Sequence, residues 1–181
     1  MEMKKFLKVL SVIDRVLTVI LKVITITLFI VLAAIITANI LLRIFPVTSL
    51  HWTDEIVELC FAALVFYAAA GVWMVKGHFS VGDWFKRVTK NERARNAYRL
   101  LVELISLLFA CVLFYFSLNL LMRSVELTSV FQIPKKVLYS PIPVSALIMA
   151  VYSVTYVIRA IMGIVNPKAL AALDSNTTPA K

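Results

Sequence analysis

Residues 56–75 read IVELCFAALVFYAAAGVWMV, twenty residues with a single charge at Glu58, bounded by Trp52-Thr-Asp-Glu55 before and Lys76-Gly-His78-Phe-Ser-Val-Gly-Asp83 after. Wound into an α-helix, a run of about twenty apolar residues crosses the ~30 Å hydrocarbon layer of a bilayer. All its backbone groups then bond within the segment, as lipid demands. Three further runs of this kind lie at 23–42, 97–122 and 142–163. Long apolar runs, not weak ten-residue alternation, favour helices over a barrel. A hydrophobic fraction of 61% with only 16% charged residues, and a mean hydropathy of +0.91, exceed what a water-soluble domain of this length buries. The pattern predicts an all-α integral membrane protein of four transmembrane helices. A single membrane domain over 1–165 is followed by a tail at 166–181.

The net charge of +9 invites a nucleic-acid reading, but the basic residues sit in short segments beside spans, where they set orientation. Lys4, Lys5, Lys8, Arg15 and Lys22 precede span one, and seven more basic residues lie between Lys76 and Arg99. The two remaining connections hold only Arg43, Arg123, Lys135 and Lys136. Both termini are therefore expected in the cytoplasm, with no nucleic-acid partner. Positive charge recurs as far as Lys22 before a run long enough to span, so span one is expected to be a retained anchor and not a cleaved leader.

Within the first 22 residues, Lys4, Lys8, Ser11, Arg15, Thr18 and Lys22 repeat at helical spacing. This predicts an amphipathic surface helix over 3–22, its basic stripe near anionic lipid headgroups, before the chain turns into the bilayer. One long tilted helix with snorkelling lysines is the alternative. At the other face Thr53 is the expected cap of span two, and Asp54, Glu55 and Glu58 load its first turns, where acids gain from the helix dipole. Capping accounts for the acids but not for Arg43, which closes span one at the same face. The expectation is a hairpin lock in which that cation meets the carboxylates, with Trp52 as an interfacial anchor. The connection 123–140 is either a plain connector or an outer docking element, and Pro141 and Pro143 open span four.

Glu103 lies one to two turns inside span three, where an isolated carboxylate needs a partner. Lys22 and Arg159 fall at similar depth, so an intramembrane brace with one of them is expected. A contact to another subunit and a proton relay are the alternatives. Cys60 and Cys111 fall within spans, far from any Cys-x-x-Cys pattern, and read as packing residues. His51 and His78 sit at opposite faces, so no haem-ligand pair is present in the spans. With no metal-ligand cluster, phosphate loop or activated nucleophile in the loops, neither catalysis nor a cofactor is expected. Mostly unbroken spans without internal repeats argue against a self-sufficient carrier.

Taken in order, Asn39 with Arg43 closing span one, Trp52 before the acidic pair Asp54 and Glu55, aromatics at Phe61, Phe66 and Tyr67, and a basic stretch ending at His78 form one pattern. It resembles the small membrane subunit (DctQ-like, Q subunit) of tripartite ATP-independent periplasmic (TRAP) transporters, over the whole chain. Two positions depart from the family's habit. Ala68 stands where a glycine is common, with Gly71 three residues on, and Asp83 arrives one residue late after His78. The resemblance implies a heterodimer with a large membrane subunit in the bacterial cytoplasmic (inner) membrane, served by a periplasmic substrate-binding protein. It also implies sodium-coupled uptake of an organic acid, with sodium and substrate sites in the large subunit and a scaffolding role for the small one. A four-helix membrane redox enzyme or a stand-alone small transporter remains the alternative.

Overall fold

The computed structural model describes residues 2–44, 52–75 and 92–165. Four long helices dominate it. In chain order they are α1 (Glu2–Ile44), α2 (Trp52–Met74), α3 (Glu92–Arg123) and α5 (Pro141–Val165), with the single turn α4 (Lys136–Tyr139) between the last two. All four long helices are of a length and composition that crosses a membrane, over Val12–Leu42, Trp52–Met74, Ala97–Arg123 and Lys136–Met162. The expected all-α, four-span architecture is thus present. The expected loci His78 and Asp83 and the tail lie outside the described residues.

α1 contains no glycine or proline across its 43 residues, and its helix continues without a break. Where a turn was expected after residue 22, the segment 3–22 and the first span form one helix. At ~1.5 Å per residue that helix is about 65 Å long, twice the hydrocarbon thickness. α2 begins at Trp52, one residue ahead of the expected cap Thr53. α5 opens with two prolines in its first turn, where the missing amides cost no helix bond.

The helices meet as a row with a shared centre. α3 pairs most extensively with α5, α1 pairs with α2, and α2 joins the two halves by packing on α5. Burial is greatest at α5: 39% of an 18-residue stretch of its span is buried, against 11% in each of the other three. On α5 the inward positions are mostly small or slim, with Ser145, Ala146, Met149, Ser153, Val157 and Ala160 all buried at three- and four-residue spacing. Opposite them α3 contributes buried Ala110 and Ser117. Lipid tails are as apolar as leucine, so close backbone approach and interhelical hydrogen bonds replace the hydrophobic drive of a soluble core. The small side chains permit that approach. Leu21, Ala70, Met74, Ala110 and Met149, one or two from each long helix, form the central cluster.

Candidate functional site

The polar residues collect at the two ends of the row. One, the hairpin end, lies where α1 hands over to α2. The other, the terminal end, gathers the last turn of α2, the middle of α5 and the first third of α1.

At the hairpin end, Asn39 on the last turns of α1 donates its Nδ2 to the hydroxyl of Thr53 at 3.0 Å. Thr53 is buried, so this bond fixes the crossing of α1 and α2 in a dry place. Two residues on, Glu55 reaches the segment between α3 and α4. Its carboxylate oxygens accept the backbone N–H of Val130 and, at 3.2 Å, that of Phe131. Trp52 packs edge-on against Phe131, ring centroids 6.5 Å apart. The segment so held is a small hairpin. Leu127 pairs with Pro134 in an antiparallel bridge, Lys135 N–H bonds Glu126 O, and Thr128 N–H bonds Ile133 O, both at 2.9 Å. Its tip turns through Gln132, whose φ of 52° lies in the left-handed region that favours glycine. At its base Lys135 Nζ meets Glu126 Oε2 at 2.6 Å. That contact and the opposing charge hold the Glu126 carboxyl below its ordinary 4.5. They also lift the Lys135 ammonium above its ordinary 10.5, with a smaller push from Glu58.

Of the lock expected here, the structure brings together Asn39, Trp52 and Glu55, though through Thr53 and the 124–135 hairpin as their partners. Asp54 and Glu58 stand exposed on the first turns of α2. Glu55, Glu58 and Thr128 border a mostly apolar cavity of about 230 Å³ between α2, the hairpin and α4. The side chain of Arg43 lies outside the described residues.

The terminal end is tied mainly by hydroxyls and an indole. Tyr156 on α5 donates its hydroxyl to the carbonyl of Met74, with Trp73 O a second acceptor at 3.4 Å, so it closes the last turn of α2. Trp73 returns a bond from α2 to α5 through Nε1 to Ser153 Oγ at 3.0 Å. Its ring stacks at 6.2 Å on Phe109 of α3. Tyr152 donates its hydroxyl to Asp14 of α1, and Thr18 bonds the Asp14 carbonyl at 2.8 Å. Asp14, Glu103 and Arg159 all lie near enough to act electrostatically on the Tyr156 hydroxyl. Glu103 is half-buried and engaged within the fold, while Lys22 and Arg159 are exposed.

Glu103, Lys22 and Arg159 are the residues the sequence points to at this end, whereas the ties through Asp14, Tyr152, Tyr156, Trp73 and Ser153 are not among its expectations. Asp14 was the one available signal, an acid inside an otherwise basic stripe, and Tyr152 and Tyr156 share a helix face with Ser145 and Ser153. Cys60 is buried on α2 and Cys111 exposed on α3, both as free thiols. No group of three histidine, cysteine or acidic side chains gathers among the described residues.

Both ends join helix to helix or helix to loop. They are the kind of contact that gives a membrane protein a fixed shape. The family model for the DctQ component of tripartite ATP-independent periplasmic transporters matches residues 32–163. The chain belongs to this family. No curated protein matches it. Family membership makes this DctQ component a membrane part of a multi-component transporter, in a family of transporter components and not of enzymes. The matched region begins at Leu32 and so takes in the hairpin end whole. Asp14 and Leu21 precede it, and the tie from Asp14 to Tyr152 is made from outside the matched stretch.

Proposed function

We propose that this chain is the accessory scaffold subunit of a sodium-coupled TRAP transporter for organic acids, stabilising the large membrane subunit in a heterodimer. The observation that carries the reading is the DctQ match across three complete spans and the last part of the first. The architecture supports it: polar bonding is spent at the two ends of the row, and long apolar helix faces stay open for lipid and for another membrane protein. In this reading the row sits in the bacterial inner membrane with both termini in the cytoplasm, following the distribution of basic residues. The hairpin end then faces the periplasm and the substrate-binding protein. The first half of α1 lies at the cytoplasmic leaflet with its basic stripe towards anionic lipid. Asn39, Arg43, Trp52, Asp54, Glu55 and Glu58 shape the periplasmic end, His78 and Asp83 belong to the cytoplasmic connection, and Glu103 is braced by Arg159 or Lys22.

Co-expression of the tagged chain with the large subunit tests this directly. The pair is expected to co-purify, and sodium-driven solute uptake is expected to require both. Arg43→Ala should weaken assembly or uptake while membrane insertion stays intact. A chain that never retains the large subunit, or a large subunit that transports fully alone, rules out the scaffold.

A further inference from the structure

The cavity at the hairpin end is apolar inside and acidic at its border. Ile56 and Leu59 of α2, Ile133 and Pro134 of the hairpin, and Val137 and Leu138 of α4 line it, with Glu55 and Glu58 at the edge. Among the described residues no basic side chain takes part in the lining. The two carboxylates differ in what already holds them. Glu55 is committed to the hairpin through the Val130 and Phe131 N–H groups. Glu58 is exposed and makes neither a hydrogen bond nor an ion pair among the described residues. Lys135, on which Glu58 acts electrostatically, is already held by Glu126. Thr53 marks the face of α2 that meets α1, and at about 100° per residue Glu55, Glu58 and Leu59 fall on the opposite face. α1 therefore stands across α2 from the cavity.

Size narrows the occupant. At about 230 Å³ the cavity exceeds the ~150 Å³ that encloses one benzene and falls short of the ~300 Å³ at which sites for whole small molecules begin. A single long side chain suits that range. The hairpin wall narrows the choice further, because an irregular loop with an ion pair at its base, the Glu126 side chain 70% exposed, belongs against water or protein and not against acyl chains. An apolar slot with an unmatched carboxylate at its border is complementary to an aliphatic stem that ends in a cation. Lysine meets this better than arginine. Both Glu55 oxygens are engaged by N–H groups, which leaves the site suited to a compact ammonium and not to a guanidinium fork.

We propose that this cavity receives one lysine side chain of a water-soluble partner, its methylenes between α2 and α4 and its ammonium on Glu58. In the scaffold reading above, on which this rests, that partner is the substrate-binding protein. Asp54, one turn before Glu58 on the same exposed side of α2, adds to the field that draws the cation in.

The test uses the full chain in complex with the large subunit, in nanodiscs, together with the purified substrate-binding protein. A carbodiimide, which joins a carboxylate to an amine in contact with it, is expected to link Glu58 to one lysine of the binding protein, located by peptide mass spectrometry. Glu58→Gln should abolish that link and weaken binding about tenfold, the scale of one interfacial ion pair. Val137→Phe fills the slot with both carboxylates in place and should weaken binding to a similar degree. Both positions are exposed, so the complex should melt at the wild-type temperature. Binding unchanged in either variant overturns the assignment. So does a Glu58 link found only on the large subunit, on a second copy of this chain or on its own Lys135, while the two membrane subunits still co-purify; the scaffold then stands without this site. If the unaltered complex does not bind the substrate-binding protein at all, this inference falls alone. Failure of the unaltered chain to co-purify with the large subunit sinks the scaffold reading and this inference with it.

Discussion

The two ends of the row solve the same problem with opposite chemistry. At the hairpin end a carboxylate, Glu55, holds a loop by its backbone N–H groups, and an ion pair, Glu126 with Lys135, closes the base of that loop. At the terminal end Tyr156, Trp73 and Ser153 tie α2 to α5 without formal charge, and Tyr152 tethers α1 to the same helix through Asp14. Charge is affordable where water reaches both partners. Inside the row, hydroxyls and an indole satisfy helix carbonyls and each other without the desolvation cost of an ion. The charged contacts of the hairpin end thus orient a loop, whereas helices are held together by neutral groups, Asn39 with Thr53 at that end and Tyr156, Trp73 and Ser153 at the other.

That contrast predicts a graded response to mutation. Tyr156→Phe removes the hydroxyl that closes α2, leaving the Trp73 and Met74 carbonyls short of a donor in a half-buried site. A loss of about 1–3 kcal/mol is expected, the usual cost of stranding a buried polar group. It should appear as a lower unfolding midpoint of the detergent-solubilised protein. If Tyr156→Phe melts at the wild-type temperature, the terminal end is not a structural tie and the comparison breaks.

Glu55→Gln should do less to the whole and more to one part. A neutral amide is a weaker acceptor for two N–H groups than a carboxylate. Hydrogen exchange at Val130 and Phe131 should therefore speed up several-fold while the helices keep their protection, because loops open locally without the fold opening. Equal acceleration throughout α2 and α5 would mean that Glu55 supports the helices too, and would erase the distinction between the ends.

The four spans and the fold class were legible because hydrophobic length is written in side chains. Glu55 was legible as an acid that begins a helix, but its partners were not. They are main-chain N–H groups 75 and 76 residues further on, and a main-chain group has no residue type to recognise. Tyr156 shows the same limit, since its acceptors are carbonyls of Trp73 and Met74. Asn39 with Thr53 is the intermediate case: both residues stand out at this end, but a threonine at the start of a helix suits a cap as well as it suits a partner for Asn39. The unbroken α1 is different again. An amphipathic stripe followed by an apolar run reads as two elements, yet without a glycine or proline between them nothing local stops the helix.

The smallest expected effect belongs to the exposed base of the hairpin, and its pH dependence is fixed in sign. The Glu126 carboxyl is held below 4.5, so its contribution is complete above that value and disappears as pH falls through the lowered one. The Lys135 ammonium is held above 10.5, so its contribution is complete below that value and disappears as pH rises through the raised one. Between those limits the pair is intact. Exchange of the Lys135 amide, which bonds Glu126 O, should be slowest relative to its intrinsic rate across that window and relax at the acid side first. Because both side chains meet water, about 0.5 M salt should remove most of the difference, as it does for exposed ion pairs. Lys135→Met should mimic the high-salt result without touching Glu55 or Tyr156. Should acid or salt instead loosen α2 and α5 together with the hairpin, the charged end would be bearing load that the contrast assigns to the neutral one.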